Sequence, residues 1–163
     1  MKNKEKDITF HYTNEVMAKD LINLIQFKNN NSVLDAGSGK NKVFYNNIPS
    51  YCEKYECEIE DGNDFLKWDK KVDWVIGNPP FHLGWKFTEK AFTVANFGVA
   101  FLVNINVFNQ FTPRRLELIA KSGFFINKIH IVADKRWFGR YYFIIFTKNE
   151  NNFFSLNLNQ YSK

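Results

Sequence analysis

Hydrophobic and polar positions along the chain follow two periods, one typical of helices and one typical of buried strands. Residues 13–27 predict a helix, because their apolar side chains recur at spacings of three and four, at Met17, Leu21, Leu24 and Ile25. The pattern then predicts strands over 32–36, 54–59, 72–76, 99–103, 124–133 and 141–147, with helices over 41–47, 85–95 and 112–123.

Strands that alternate with helices indicate an α/β fold, with a mostly parallel sheet and helices on both of its faces. The last two predicted strands have no helix between them, so one of the two is expected to be antiparallel.

The composition is that of a single globular domain. The chain has 163 residues, of which 45% are hydrophobic and 24% charged, so we expect one domain over residues 1–163 and little disorder. No apolar run approaches the roughly 20 residues of a membrane span, and the charged first residues do not resemble a signal peptide. The sequence therefore predicts a soluble cytoplasmic protein. Its formal net charge of +5 permits a polyanionic partner without requiring one.

A glycine loop, Asp35-Ala36-Gly37-Ser38-Gly39, directly follows the first predicted strand. Glycines let the backbone turn sharply and approach a ligand closely, and open α/β sheets bind ligands at the carboxyl ends of their strands. A purely structural turn is the alternative. A ribose-binding carboxylate is expected about 20 residues further on. Glu56, Glu58 and Glu60 all fall there, and the pattern does not choose among them.

A second loop, Gly77-Asn78-Pro79-Pro80-Phe81, follows the third predicted strand. Two prolines restrict the backbone and remove two N–H donors, which leaves the preceding carbonyls free to accept hydrogen bonds. The Asn78 side chain adds another acceptor, and Phe81 offers a flat apolar face on which a base can stack. This combination suits an exocyclic amino group, with an ordinary Pro-Pro turn as the alternative.

These two loops, with Asp64-Phe65-Leu66 between them, resemble the S-adenosylmethionine-dependent amino-methyltransferases, especially the N6-adenine branch. The resemblance covers roughly residues 10–148. The glycine loop is common to many methyltransferases, whereas Asn78-Pro79-Pro80-Phe81 is much more restrictive. The resemblance implies a Rossmann-like, seven-stranded sheet with an antiparallel final strand, S-adenosylmethionine as cofactor and no metal. It also implies methyl transfer to the N6 amine of adenine in DNA.

The same resemblance assigns roles to residues of this chain. The implied catalytic residues are Asn78, Pro79, Pro80 and Phe81; the Asn78 side chain and the Pro79 carbonyl would hold the target amine, and Phe81 would stack on its base. The implied cofactor-binding residues are Tyr12, Thr13, Asp35, Gly37, Gly39, Glu58, Asp64, Phe65 and Asn78. Within this set the glycine loop holds the methionine end, Glu58 takes the ribose hydroxyls, Asp64 and Phe65 flank the adenine, and Tyr12 and Thr13 close over the cofactor.

The chain departs from the family in two places. Glu58 and Asp64 are only six residues apart, so the helix usual between them is missing or reduced, and Glu60 could replace Glu58 as the ribose ligand. We also expect no separate target-recognition domain, so sequence readout should be slight, or delegated to a partner or to nucleic-acid shape.

A basic and aromatic connection, Lys135 to Tyr141, is the predicted contact for a nucleic-acid substrate. Within it, Arg136 and Arg140 would follow phosphates, and Trp137 and Phe138 would stack on bases. The alternative is a solvated loop whose Trp137 and Phe138 pack into the core.

Three other functions remain open from the sequence alone. The substrate could be RNA instead of DNA, or the glutamine amide of a protein, whose NH₂ fits the same two acceptors. The chain could also be an inactive subunit that binds nucleic acid. A homodimer or a partner subunit is compatible with its small size.

Overall fold

A computed structural model of the protein describes residues 13–134 and 139–149. The strands are β1 Ser32–Ala36, β2 Glu53–Cys57, β3 Val72–Gly77, β4 Ala95–Asn104, β5 Phe125–Val132 and β6 Tyr141–Thr147. The α-helices are α1 Glu15–Ile22, α2 Val43–Asn47, α3 Gly84–Val94, α4 Ile105–Phe108 and α5 Pro113–Lys121. Three short 3₁₀ helices span Ile59–Asp61, Phe65–Lys67 and Phe81–Leu83.

The strands form one mixed sheet in the order β2-β1-β3-β4-β6-β5. The pairs β1–β2, β1–β3 and β3–β4 are parallel, and β6 runs antiparallel to both of its neighbours. The predicted α/β fold with an antiparallel final strand is therefore confirmed. The described residues form six strands where the resemblance implied seven. Residues 58–71 connect β2 to β3 through two 3₁₀ helices, with no strand and no α-helix in this stretch.

The core lies on both faces of the sheet. One face packs against α1 and α2, with Leu21 and Phe44 buried there, and the other packs against α3, α4 and α5, with Phe87 and Ile119 buried. The predicted apolar run 99–103 is almost wholly buried, as expected for a strand between two others with helices above and below. Each fully buried Val, Leu, Ile or Phe side chain contributes about 1.5–3 kcal/mol to the free energy of unfolding.

The end of one predicted helix differs from the structure, and one short helix was not predicted. Helix α1 ends at Ile22, five residues before the predicted end, and the chain continues in tight turns in which the N–H groups of Leu24 and Ile25 donate to Leu21 and Ile22. Ile25 is still buried, which is why the apolar period continues beyond the helix. Helix α4 has four residues and was not predicted.

The helices of the described residues are short. The longest, α3, has 11 residues, about 17 Å at 1.5 Å per residue, against a hydrocarbon core of about 30 Å. Within residues 13–134 and 139–149, no helix combines the length and the apolar character needed to cross a bilayer.

Candidate active site

The two predicted loops meet at the point where the strand order reverses. From β1 the chain crosses to β2 on one side, and from β3 it crosses to β4 on the other, so a crevice opens between the carboxyl ends of β1 and β3. A Cβ atom placed on Gly37 would lie 3.9 Å from Pro80 Cδ. The glycine loop and the Asn78–Phe81 loop therefore face each other within van der Waals distance.

The glycine loop is held in a left-handed conformation. Gly37 and Gly39 have φ angles of +75° and +65°, a region that side chains disfavour. The N–H groups of Gly37 and Ser38 both donate to the Cys57 carbonyl, at 3.0 and 2.9 Å, which ties the loop to the end of β2. A Cβ atom on Gly39 would meet nothing within 4 Å, so open space lies beside this residue.

The three candidate ribose ligands have different partners. Glu58, the first residue after β2, accepts a hydrogen bond from the Gly39 N–H through Oε2 at 2.7 Å. Glu56 lies 2.5 Å from the Lys42 ammonium and also accepts from the Ser38 hydroxyl. Glu60 is exposed and lies 3.5 Å from Lys40. Glu58 is thus the acid that combines a strand-end position with contact to the glycine loop.

Asp35 lies beneath this loop and is fully buried. Its Oδ2 accepts a hydrogen bond from the Tyr45 N–H at 2.9 Å, and its Oδ1 has no hydrogen-bond partner among the described residues. Burial raises the pKa of the carboxyl to about 7, with smaller contributions from the charges of Glu56 and Glu58 and an opposing one from the Tyr45 bond. The site therefore contains a buried acceptor with unused capacity.

The Asn78 loop approaches β1 closely. Gly77 has a φ of +146°, and a Cβ atom there would lie 2.7 Å from the Ala36 carbonyl oxygen, so only glycine fits. Pro79 is buried and Pro80 exposed. The Asn78 side chain is half-buried, and its Nδ2 donates to Thr13 Oγ1 at 3.2 Å. The chain before α1 thus reaches the loop through Thr13, whose contact with a cofactor stays a prediction, whereas Tyr12 lies outside the described residues.

Phe81 contacts the last strand of the sheet. Its ring centroid lies 6.0 Å from that of Tyr141, with an interplanar angle of 51°. The neighbouring carbonyl of Arg140 accepts a hydrogen bond from the Ile105 N–H at 3.0 Å. Arg140 is exposed at the edge of the sheet that carries the two loops. Arg136, Trp137 and Phe138 lie outside the described residues.

The predicted adenine-flanking residues occupy a 3₁₀ turn. The Asp64 side chain caps this turn by accepting from the Leu66 N–H at 2.9 Å. Phe65 is 2% exposed and packs on Phe87, with ring centroids 5.0 Å apart. In this structure Phe65 is a core residue, and its contact with a cofactor stays a prediction.

Two features of the site have no signal in the sequence. Lys42 has a left-handed φ of +48° and bridges Glu56 and Asp61, which fixes the two acids beside the glycine loop. Tyr141 supports the Phe81 ring. No local pattern marks either residue, because their partners lie far away in the sequence.

Comparison with solved structures identifies the fold. A methyltransferase from Pyrococcus furiosus matches with a TM-score of 0.59 at 16% identity, over 85% of this chain and 84% of that chain. Magnesium protoporphyrin IX methyltransferase from Synechocystis PCC 6803, solved with S-adenosylmethionine and with S-adenosylhomocysteine bound, matches at 11% identity in both cases. In the second complex the TM-score is 0.62, and the match covers 83% of each chain.

The methyltransferase subunit of a type I restriction-modification system from Streptococcus thermophilus also matches, with a TM-score of 0.62 at 15% identity. That match covers 86% of this chain and 45% of the other. No protein-family model and no curated protein matches the sequence. The chain therefore has the class I fold of S-adenosylmethionine-dependent methyltransferases.

Proposed function

We propose that the protein is an S-adenosylmethionine-dependent methyltransferase that modifies the exocyclic N6 amine of adenine in DNA. The observation that supports this proposal is the position of the Asn78–Phe81 loop. It stands against the glycine loop at the switch point of the sheet, where a methyl donor and an amine acceptor would meet.

The residues at the switch point fit the proposed cofactor. Gly39 leaves open space beside the backbone, and Glu58, which accepts a hydrogen bond from the Gly39 N–H, stands next to that space as a hydroxyl acceptor. The unpartnered Oδ1 of Asp35 is a further acceptor beneath the glycine loop, and a cationic ligand nearby would favour the ionised form of this carboxyl. S-adenosylmethionine would supply a methyl group bonded to a cationic sulphur, which is a good leaving group.

The chain's own residues would position and polarise the acceptor. The side-chain oxygen of Asn78 and the carbonyl of Pro79 would accept the two amine hydrogens, which draws the nitrogen lone pair out of conjugation with the base. As the new C–N bond forms, these oxygens stabilise the positive charge on the nitrogen. The C–S bond of the donor would break as the C–N bond forms, and the methylated amine would then release one proton to solvent water. Phe81, supported by Tyr141, would stack on the base, so most of the rate enhancement comes from orientation.

A nucleic acid is the proposed acceptor because exposed positive charge lies near the acceptor side of the crevice, and DNA is the nucleic acid that the resemblance implies. Arg140 is exposed close to Phe81 and Tyr141, and the formal net charge of the chain is +5. Duplex DNA would require the base to leave the stack, which costs a few kcal/mol and is largely avoided in a single strand.

The test is mass spectrometry of digested nucleosides after incubation with cofactor. Single-stranded DNA, duplex DNA and RNA are supplied separately to the wild-type protein, to Asn78→Ala and to Asn29→Ala, a control at an exposed site near the amino end of β1. We expect N6-methyladenine in DNA from the wild type and the control, and none from Asn78→Ala.

Each other outcome changes the proposal in a defined way. N6-methyladenine found in RNA alone would mean that the substrate is RNA and not DNA. Cofactor binding without any methylated nucleoside would favour a protein glutamine or a non-catalytic subunit. Equal turnover by Asn78→Ala would overturn the proposed mechanism.

A further inference from the structure

The side chains of Thr13 and Asn78 are joined by a hydrogen bond across 65 positions of sequence. Asn78 Nδ2 donates to Thr13 Oγ1 at 3.2 Å, and Thr13 is 6% exposed. This bond connects the start of α1 directly to the side chain that the proposed reaction uses as an acceptor.

Thr13 is itself held in place by the helix that follows it. The Asn14 side chain caps α1 by accepting from the Met17 N–H at 2.7 Å. Ala18 and Leu21 anchor the same helix in the core. The hydroxyl of Thr13 therefore occupies a defined position relative to the sheet.

A primary amide presents chemically different ends, one that accepts hydrogen bonds and one that only donates. The last torsion of an asparagine side chain is broad and roughly two-fold, so rotation can exchange the two ends. The backbone on either side is constrained by the φ of Gly77 and by the ring of Pro79. What remains to be fixed in Asn78 is the direction in which its amide faces.

We propose that Thr13 is a positioning residue that engages the amide nitrogen of Asn78 and thereby turns the amide oxygen toward the acceptor amine. The proposal rests on the proposed function. With the amide reversed, N–H groups would face the amine hydrogens, and the acceptor that draws out the lone pair would be absent. Thr13 acts through Asn78 and not on the substrate.

This role differs measurably from the cofactor contact that the sequence implied for Thr13. Replacing a residue that binds the cofactor weakens cofactor affinity. A residue that orients Asn78 lowers kcat and leaves the cofactor Kd unchanged.

The experiment compares Thr13→Val with Thr13→Ser in the full-length chain. Valine keeps the shape of threonine and removes the hydroxyl, whereas serine keeps the hydroxyl. We expect Thr13→Val to lower kcat by roughly 10- to 100-fold, the range for a misplaced catalytic group, with the calorimetric Kd for S-adenosylmethionine unchanged. Thr13→Ser should retain most of the wild-type kcat. Thr13→Ala is the second hydroxyl-free variant if Thr13→Val does not fold.

A readout without turnover separates this inference from the proposed function. The side-chain amide signals of Asn78 in a ¹⁵N–¹H spectrum are assigned by their loss in Asn78→Ala. We expect them to shift and to exchange faster with solvent in Thr13→Val, and to stay near their wild-type positions in Thr13→Ser.

The outcomes decide the two proposals independently. A wild-type protein without turnover would overturn the proposed function, and the amide signals would then decide whether Thr13 holds Asn78. Unchanged amide signals in Thr13→Val would overturn the inference. So would a cofactor Kd that weakens as much as kcat falls, or a serine variant as impaired as the valine variant.

Discussion

At the scale of single residues, the chemistry of Asp35 is set by burial more than by its neighbours. The resemblance to the methyltransferases assigned this residue to the cofactor-binding set. The structure places the carboxyl out of contact with water, with one oxygen bonded to the Tyr45 N–H. Burial disfavours the charged form, and the acidic side chains of Glu56 in β2 and Glu58 directly after it disfavour that form further.

The stability of the protein should therefore depend on pH through Asp35. Its pKa is about 7 in the folded chain against 3.8 as the ordinary value, so the native state holds a proton that the unfolded chain has released. This contribution is fully present below about pH 4 and is lost as pH rises through about 7, by about 4 kcal/mol at 1.36 kcal/mol per pKa unit. Urea unfolding of the wild type and of Asp35→Asn from pH 5 to 8 measures the part of this loss that falls above pH 5, about 3 kcal/mol.

Asp35→Asn resembles the protonated acid and cannot titrate. Its free energy of unfolding should fall less than that of the wild type across this range, because the other titrating groups are shared. Parallel profiles for the two proteins would mean that Asp35 is already ionised near pH 5.

Gly77 is a second residue whose identity is fixed by its surroundings. Alanine there would combine a φ of +146° with a Cβ atom 2.7 Å from the Ala36 carbonyl and 3.2 Å from Asp35 Oδ1. Backbone strain and overpacking together predict a loss of about 2–4 kcal/mol in the free energy of unfolding.

Gly123→Ala is the matched control for Gly77→Ala. Gly123 has a similarly positive φ of +83°, and a Cβ atom there would meet nothing within 4 Å. Its substitution should cost only about 1–2 kcal/mol for the left-handed backbone. Equal losses at the two sites in urea titrations would show that the close approach of β1 and β3 is easily relaxed.

At the scale of elements, the contact of β4 with β3 depends on a glycine, because a side chain at position 98 would collide with β3. Gly98 of β4 lies beneath the indole of Trp74, where a Cβ atom would stand 2.2 Å from Cζ3. Trp74 is buried and meets Phe27 edge-on at 5.6 Å, so the indole cannot simply move aside.

Gly98→Ala should therefore destabilise the fold by about 1–3 kcal/mol through overpacking. A double-mutant cycle with Trp74→Leu provides the check, because the smaller side chain makes room for the new methyl group. We expect the double variant to be more stable than the sum of the two single changes predicts. If the stability losses of the two single variants simply add in the double variant, the strain caused by Gly98→Ala does not come from its contact with Trp74.

The elements that the sequence predicted correctly are those whose pattern is local. The run 99–103 identified β4 because each of its side chains is buried, and Thr112-Pro113 identified the start of α5. Helix α4 was missed because it has only four residues and depends on two contacts. One is the Asn104 cap, and the other is the bond from Ile105 to Arg140, which is distant in sequence.

At the scale of the whole molecule, the order of the strands in the sheet determines where the candidate site lies. The sequence predicted that loops at the carboxyl ends of strands would meet, because parallel strands bring those ends to one edge. It could not predict which side chains touch there. The hydrogen bonds from Asn78 to Thr13 and from Gly39 to Glu58, and the ring contact of Phe81 with Tyr141, join separate elements. Such contacts depend on how the helices and strands pack, which no local pattern encodes.

The same edge of the sheet sets where a nucleic acid would bind. Strands β4 and β5 end there and β6 begins there, which brings the exposed Arg140 close to Phe81 through Tyr141. If Arg140 neutralises one phosphate, Arg140→Glu should weaken DNA binding and reduce the slope of log Kobs against log salt concentration by about 1. Fluorescence anisotropy over a series of salt concentrations gives this slope.

Lys28→Glu is the control, because it makes the same change in net charge at an exposed position near the amino end of β1, on the opposite edge of the sheet. A molecule that attracts DNA only through its overall positive charge would lose affinity equally in both variants, and the two salt slopes would fall together. A molecule that binds at the carboxyl edge would lose affinity far more in Arg140→Glu. The difference between the two slopes, more than either slope alone, therefore measures whether the positive charge of the chain is directed to the edge that carries Asn78.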